Sequence, residues 1–204
     1  MAIGIGIDVG TVSVKTALFS TNAEDAPLLE RLSTRDGFPP VTVLGPSDGR
    51  PGWLAVAPYA RIAGNPKRQA REALEHIFDR LDGAAVGAVV GTGSGAGVLV
   101  EEMGLEKADE FRMLTRAAEL LMPSVQTLFE IGGESSRYVR FERHGTDGRL
   151  GIADYRTNGD CAAGTGSFLD QQALRMQYSV EEVGCVVGEA KCAARIAGRC
   201  SVFA

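Results

Sequence analysis

The sequence has 204 residues, of which 45% are apolar, 23% charged and 6% aromatic. This composition provides a core for one full domain or two small ones, and it excludes a disordered chain. The net charge is −5, from 21 basic and 26 acidic residues. Because no run of Lys or Arg forms a basic stripe, we do not expect nucleic acid as the main partner.

Two segments bear on targeting. The first ten residues place an acid, Asp8, where a secretory signal would keep a basic flank and an apolar run. The longest uncharged stretch, residues 83–100, contains six glycines and six strongly apolar side chains. It therefore predicts a buried strand that continues into a loop, and no membrane span. We expect a cytoplasmic protein that is not exported.

The first half of the chain predicts strands, an irregular stretch and helices. Alternating apolar residues and glycine predict strands at 3–8 and 14–19, joined by a polar turn. Seven of the eight prolines fall within 27–66, which predicts irregular backbone with short strands at 41–44 and 53–56. An apolar stripe predicts a helix over 67–81, with Gly83 as its stop. A fully buried strand at 84–90 and a short helix at 98–103 follow.

The second half repeats the pattern of the first. A helix over 106–121 ends before Pro123, and strands follow at 125–131, 137–142 and 150–155. A loop at 158–166 then leads into a helix that ends near Met176. The restart predicts a weak internal duplication in an α/β fold. We assign 1–123 to a first subdomain with a Pro-rich insertion at about 21–66, and 124–204 to a partial second subdomain.

The polar turn after the first strand has the residue types of a phosphate site. Asp8 stands at the strand end, Gly10 allows a tight turn, and Thr11, Val12, Ser13 and Lys15 follow. Backbone N–H groups and a cation bind anions, and a carboxylate binds Mg²⁺. An ordinary hairpin with a polar turn would use the same residues, so the motif alone leaves both interpretations open.

A second turn repeats this arrangement. Glu130 ends a predicted strand and is followed by Gly132, Gly133, Glu134 and two serines. Two such turns, one per half of a duplicated fold, could face each other across a cleft and bind a polyphosphate with its metal. The repetition favours the phosphate interpretation over coincidence.

A glycine-rich segment lies between these turns. Residues 91–96 read Gly-Thr-Gly-Ser-Gly-Ala after an apolar strand and before a helix, which satisfies the dinucleotide-binding pattern. The acid expected about 20 residues later would be Asp109 or Glu110, but no strand is predicted to end there. We favour a tight strand-to-helix turn that lines the cleft, with nicotinamide or flavin binding as the alternative.

All four cysteines lie in the last 44 residues, at 161, 185, 192 and 200. In a cytosolic chain this clustering favours metal or redox chemistry over a disulfide framework, and buried thiols are the alternative. Cys161 precedes a helix within small residues, so amides and the helix dipole would favour its thiolate. Two cysteines cannot complete a four-thiolate cluster in one chain, but two chains on a two-fold axis can.

These motifs resemble those of a known family. Residues 5–15, 126–137, 161–166 and 200–204 are similar to segments of the ATP-dependent activators of 2-hydroxyacyl-CoA dehydratases and the ATPase subunits of benzoyl-CoA reductases. That family belongs to the acetate kinase, sugar kinase, Hsp70 and actin superfamily. The resemblance implies a duplicated ribonuclease-H-like ATPase fold whose C-terminal half is incomplete here. It covers nearly the whole chain outside the Pro-rich stretch.

The resemblance also implies a function. It predicts a homodimer that hydrolyses ATP with Mg²⁺ and sends a low-potential electron to a CoA-ester dehydratase or reductase component. Cys161 and Cys200 of each subunit would bind one shared [4Fe-4S] cluster, leaving Cys185 and Cys192 as packing thiols. Asp8 and Glu130 would lie on the metal side. The phosphate side would be formed by Gly10, Thr11, Val12, Ser13, Lys15, Gly132, Gly133 and Glu134.

The sequence departs from the family pattern at several places. Glu130, Glu134 and Ser135 replace the residues usual around the second turn, and Met113 and Leu114 stand where the family commonly has Cys-His. The adenosine-binding glycine motif is expected after Ala204, so we expect a truncated product or an excised domain that has no complete nucleotide site of its own. Two alternatives stay open: a small-molecule kinase of the same superfamily, and a non-hydrolysing assembly or regulatory domain of a larger protein.

Overall fold

The computed structural model describes residues 2–35, 41–45, 51–62, 64–145, 148–159, 161 and 164–193. The chain divides into two compact units. Unit 1 contains residues 1–125 and 143–151, and unit 2 contains residues 126–142 and 152–204. Among the helices of the described ranges, none combines the length and the apolar character needed to cross a membrane.

Unit 1 is built on a mixed sheet whose central strand is β1. The sheet order is β3-β4-β2-β1-β6-β7, and β5 pairs with β2. Strand β1 pairs antiparallel with β2 and parallel with β6. The strands are β1 (Ile3–Val9), β2 (Ser13–Ser20), β3 (Thr42–Leu44), β4 (Gly52–Val56), β5 (Ala60–Arg61), β6 (Val86–Thr92) and β7 (Glu106–Lys107).

The core of unit 1 follows from the alternation in β1. Its inward side chains Ile3, Ile5, Ile7 and Val9 are at most 2% exposed, because residues two apart point to the same face of a strand. The helices of this unit are α1 (Ala26–Arg35), α2 (Pro66–Phe78), α3 (Gly97–Met103) and α4 (Glu110–Leu121).

Helix α2 packs on this core for reasons visible in its sequence. Asn65 caps its start by accepting a hydrogen bond of 3.0 Å from the Arg68 amide, and Pro66 has a φ suited to the first helical turn. Its apolar stripe buries Ala70, Leu74 and Ile77. The predicted helix over 67–81 is confirmed, although it ends at Phe78.

The described residues of unit 2 form an antiparallel meander and two helices. The order of its sheet is β10-β9-β8. The elements are β8 (Thr127–Ile131), β9 (Ser136–His144), β10 (Arg149–Thr157), α5 (Gly166–Arg175) and α6 (Val180–Glu189). The tip of the β9–β10 hairpin, residues 143–151, belongs to unit 1. There the Leu150 amide donates to Glu119 of α4 at 2.9 Å.

Several predicted elements differ from the structure. The Pro-rich stretch contains α1, which starts where a 3₁₀ turn capped by Asn22 ends. Strand β6 is largely half-buried, because its outer neighbour β7 pairs with only two of its residues. The helix expected from residue 106 begins at Glu110, where the Asp109 side chain accepts from the Arg112 amide. Helix α6 was not predicted.

Candidate functional site

The first turn lies between β1 and β2 in unit 1. Asp8 and Lys15 are register partners on the two strands, and their Oδ2 and Nζ atoms form an ion pair of 3.1 Å. Both side chains stay partly exposed, at 39% and 50% respectively. The Gly10 amide donates to the Ser13 carbonyl at 3.0 Å and closes the turn. The acid and the cation are thus held beside the turn and remain accessible.

The tip of the first turn has unused donors. Within the described residues, the backbone amides of Thr11 and Val12 have no hydrogen-bond acceptor. The Ser13 side chain is 7% exposed, and its hydroxyl has no hydrogen-bond partner in the same part of the chain. Two adjacent amides without acceptors are hydrogen-bond donors that an anion could use.

The glycine-rich segment 91–96 packs directly against this turn. The Gly95 amide donates to the Val9 carbonyl at 2.8 Å. Gly93 has φ +95°, and a Cβ there would lie 2.5 Å from the Val9 oxygen and would overlap Asp8 Oδ1. Only glycine allows this close approach to Asp8 and Val9. The segment joins β6 to α3, so the predicted tight strand-to-helix turn is confirmed. The structure provides no observation that favours the dinucleotide alternative.

The second turn lies between β8 and β9 in unit 2. The Gly132 amide donates to the Ser135 carbonyl at 2.8 Å, which closes this turn as in the first. Glu130 and Arg137 are register partners, and their Oε2 and Nη1 atoms lie 3.4 Å apart. This separation is an ion pair and not an aligned hydrogen bond. The Glu130 side chain is 37% exposed, but its Oε2 atom is buried and has no hydrogen-bond partner in the described part of the protein.

The two turns have the same residue spacing, and the sequence analysis named only some of the residues that follow it. From the strand-end acid, Gly follows at +2, Ser at +5 and a basic residue at +7 in both turns. In the second turn the basic residue is Arg137, which was not predicted as a site residue, although Lys15 at +7 from Asp8 was a detectable signal. The same hairpin register in both units places each base opposite its acid, because directly opposed residues of an antiparallel pair are neighbours.

A divalent cation fits the donor set of each turn. Mg²⁺ binds one or two carboxylates and keeps several waters. The buried Glu130 Oε2 without a hydrogen bond and the accessible Asp8 carboxylate are oxygen donors of this kind. Glu134 is exposed to solvent. Its extra negative charge next to the turn is therefore screened by water, which lowers its repulsion toward a phosphate.

The cysteine loop, which we define as the described residues 158, 159, 161, 164 and 165, is hydrogen-bonded to Ser136 at the end of the second turn. Cys161 is a free, exposed thiol in this loop. Asn158 donates through Nδ2 to the Cys161 carbonyl. Ser136, the residue that follows the turn, donates through Oγ to the Gly164 carbonyl at 2.5 Å. Thiolate is the usual ligand of iron–sulfur clusters, so Cys161 fits as one ligand.

The start of α5 differs from the expectation. The sequence predicted that its first amides point toward the Cys161 sulfur. In the structure the Gly166 and Ser167 amides donate to the Gly132 and Gly133 carbonyls, at 2.8 and 2.9 Å. This close approach has a steric basis, since a Cβ on Gly166 would lie 3.3 Å from the Gly132 oxygen. The Gly166 and Ser167 amides therefore bind carbonyl groups of the second turn.

The structure describes two of the other three cysteines. Cys200 lies outside the described residues. Cys185 and Cys192 were predicted to be packing thiols, and this is wrong, because both are exposed. Helix α6 buries none of its residues, so a thiol on it has no core to enter. Among the described residues there is no group of three or more His, Cys, Asp or Glu that could hold a metal ion.

Comparison with known proteins finds relatives that include a benzoyl-CoA reductase subunit and a dehydratase-activating ATPase. A benzoyl-CoA reductase subunit of Thauera aromatica is 24% identical over 208 residues, which cover 100% of this chain and 61% of the relative. The (R)-2-hydroxyglutaryl-CoA dehydratase activating ATPase of Acidaminococcus fermentans is 27% identical over 139 residues, or 68% of this chain and 50% of the relative. The chain thus spans less than two thirds of either protein.

The fold is shared with a solved activator. The activator of the 2-hydroxyisocaproyl-CoA dehydratase from Clostridium difficile, solved with bound ADPNP, superposes with a TM-score of 0.66 at 21% identity. The match covers 98% of this chain and 62% of that one. It confirms the predicted α/β class with the ribonuclease-H-like ATPase fold. The sequence profile of the BadF/BadG/BcrA/BcrD ATPase family matches residues 5–204, and the chain therefore belongs to that family.

Proposed function

We propose that the protein is an ATP-hydrolysing activator that donates electrons to a CoA-ester dehydratase or benzoyl-CoA reductase-like component. The observation that carries this proposal is the repeated turn. Each copy has a strand-end acid, a Gly-to-Ser closing bond and a base opposite the acid. A hairpin without function has no need of the same donor set twice. Phosphate binding accounts for both copies.

The chemistry of the first turn suits phosphoryl transfer to water. The amides of Thr11 and Val12 and the Lys15 ammonium would bind phosphate oxygens, and Asp8 would hold Mg²⁺ directly or through water. Bound Mg²⁺ would neutralise charge that develops on the phosphates. Water is the nucleophile, so no side chain forms a covalent bond. The residues act by fixed position and electrostatic stabilisation.

The second turn would supply the same functions in unit 2. The described residues contain no hydrogen-bond acceptor for the backbone amides of Gly133 and Glu134, so both are available to a phosphate. Glu130 Oε2 would accept a hydrogen bond from a metal-bound water in place of the one it lacks. Without a metal, the Arg137 guanidinium would balance the charge of this carboxylate.

The electron-donating role rests on the cysteines. In the proposed homodimer, Cys161 and Cys200 of each subunit would hold one [4Fe-4S] cluster, which when bound would carry the transferred electron. The exposed Cys161 thiol supports this role, since a ligand shared between subunits must reach the surface. The proposed acceptor is a CoA-ester dehydratase or reductase, in line with the names of the relatives.

Hydrolysis tests the phosphate assignment. Asp8→Asn in the full-length protein should lower Mg²⁺-dependent ATP hydrolysis at least about 100-fold, about 2.7 kcal/mol, because the metal loses a charged ligand. Asp154→Asn is the matched control, since Asp154 is a partly exposed acid that ion-pairs with Arg156 on β10. Released phosphate is measured with each variant. Hydrolysis by Asp8→Asn at the wild-type rate would reject the metal-side role.

Iron content tests the cluster assignment. Cys161→Ala and Cys200→Ala should each abolish iron and sulfide binding after anaerobic reconstitution, whereas Cys185→Ala, the exposed control, should not. Circular dichroism verifies that each variant folds. Iron retained by both loss variants would contradict the proposal. Absence of iron in the wild type together with phosphoryl transfer to a sugar would instead establish the kinase alternative, and absence of nucleotide binding the regulatory one.

A further inference from the structure

One side chain in unit 2 joins the second turn to the cysteine loop. The Asn158 Oδ1 atom accepts from the Ser136 amide at 2.9 Å, and the Asn158 backbone amide donates to the Ser136 carbonyl at 3.1 Å. On its other side, Asn158 Nδ2 donates to the Cys161 carbonyl. One planar carboxamide therefore bridges the first residue of β9 and the residue proposed to bind the cluster.

The bridge needs an acceptor on one side and a donor on the other, and the asparagine carboxamide supplies both in a single orientation. A backbone amide needs an acceptor and a backbone carbonyl needs a donor, so Oδ1 must face Ser136 and Nδ2 must face Cys161. An aspartate would keep the first contact and replace the second by two oxygens facing each other. The second contact can therefore be broken alone, by a change that leaves the shape of the side chain intact.

Helix α5 holds the second turn through two backbone hydrogen bonds. The carbonyls of Gly132 and Gly133 accept from the first amides of α5, at 2.8 and 2.9 Å. In a trans peptide the C=O of one residue and the N–H of the next point in opposite directions. The amides of Gly133 and Glu134 therefore point away from α5. A phosphate bound to these amides would act on the same peptide groups whose carbonyls hold the helix.

We infer that Asn158 is a positioning residue that couples occupancy of the second turn to the position of Cys161. A nucleotide phosphate that moves the turn between Gly132 and Ser135 also moves Ser136, and through it the Asn158 carboxamide and the Cys161 backbone. The Ser136 hydroxyl adds a second connection, at 2.5 Å from the Gly164 carbonyl oxygen. This inference rests on the proposed function, because it needs a nucleotide at the turn and a cluster at Cys161.

The test compares nucleotide-dependent cluster exposure in the full-length, cluster-loaded protein. The rate at which bathophenanthroline disulfonate removes iron is measured with MgATP and with MgADP. In the wild type we expect the two rates to differ at least fivefold. Asn158→Asp should reduce this difference to less than twofold while its iron content and ATP affinity stay within twofold of wild type. Asn65→Asp is the control, since Asn65 caps α2 in unit 1 through its side-chain oxygen.

A second pair of variants covers the case in which Asn158→Asp does not fold. Ser136→Ala removes only the bond to Gly164 and should at least halve the nucleotide-dependent difference, whereas Ser136→Thr keeps the hydroxyl and should restore it. The full difference in either loss variant would overturn the inference, as would equal rates with both nucleotides in a wild type that binds iron and ATP. A wild type that binds no iron or no nucleotide would instead overturn the proposed function.

Discussion

Replacing Gly93 by alanine should damage the Asp8 carboxylate through a steric overlap that the structure locates. The backbone at Gly93 has φ +95°, which costs an L-residue about 1–2 kcal/mol. The new Cβ would also lie 2.5 Å from the Val9 carbonyl oxygen and would overlap Asp8 Oδ1. Such overpacking costs typically about 1–3 kcal/mol. We therefore expect Gly93→Ala to lower the free energy of unfolding by about 3 kcal/mol.

The expected readouts are a melting temperature and a metal requirement. For a domain of this size about 3 kcal/mol corresponds to a decrease in Tm of about 6–12 °C. Because Asp8 must rotate or shift, the Mg²⁺ concentration for half-maximal ATP hydrolysis should rise about tenfold, which is about 1.4 kcal/mol of binding. Circular dichroism and phosphate release at varied Mg²⁺ measure the two effects.

Gly104→Ala is the matched control, because it separates the backbone cost from the overlap. Gly104 also has positive φ, +63°, but a Cβ there meets nothing within 4 Å. Only the cost of about 1–2 kcal/mol for the conformation applies, and the Mg²⁺ requirement should not change. If Gly93→Ala loses no more stability than Gly104→Ala and hydrolyses ATP at wild-type Mg²⁺, the steric reasoning about Asp8 is refuted.

Two further predictions concern ion pairs. Arg137→Leu would remove the cation that lies 3.4 Å from Glu130 Oε2. Because the Glu130 side chain is 37% exposed and water replaces part of the interaction, urea denaturation should show a loss of about 1 kcal/mol, and Arg137→Lys should recover part of it. The hydrogen bond from Lys67, 2.6 Å long, holds the pKa of Glu102 below its ordinary value. The Lys67–Glu102 ion pair therefore stabilises the fold at pH values above the ordinary pKa of Glu. This stabilisation is lost as the pH falls through the lowered pKa of Glu102. Glu102→Gln should remove this pH dependence in melting curves, and an unchanged profile would contradict the assignment.

Local patterns predicted most of what depends on neighbours in sequence. Alternation of isoleucine and glycine was sufficient for β1, because a strand exposes its two faces to different environments whatever it pairs with. The apolar stripe of α2 likewise needs no tertiary information, although the helix begins at Pro66 after the Asn65 cap and not at the predicted residue 67. The two polar turns proposed to bind phosphate were visible for the same reason, since an acid, a glycine and hydroxyls at fixed spacing describe a local conformation. Family membership followed from these motifs and is confirmed.

Contacts between distant segments were decided only by the tertiary structure. The role of Gly93 depends on β6 lying parallel to β1, which brings a residue distant in sequence against Asp8. Asn158 belongs to no motif with a known chemistry, and its value comes from meeting both Ser136 and Cys161. The exposure of Cys185 was mispredicted because this thiol was assigned to packing for want of a motif, whereas its burial depends on which elements pack against α6. Sequence thus determined which groups are present and their local geometry, and the fold determined which of them touch.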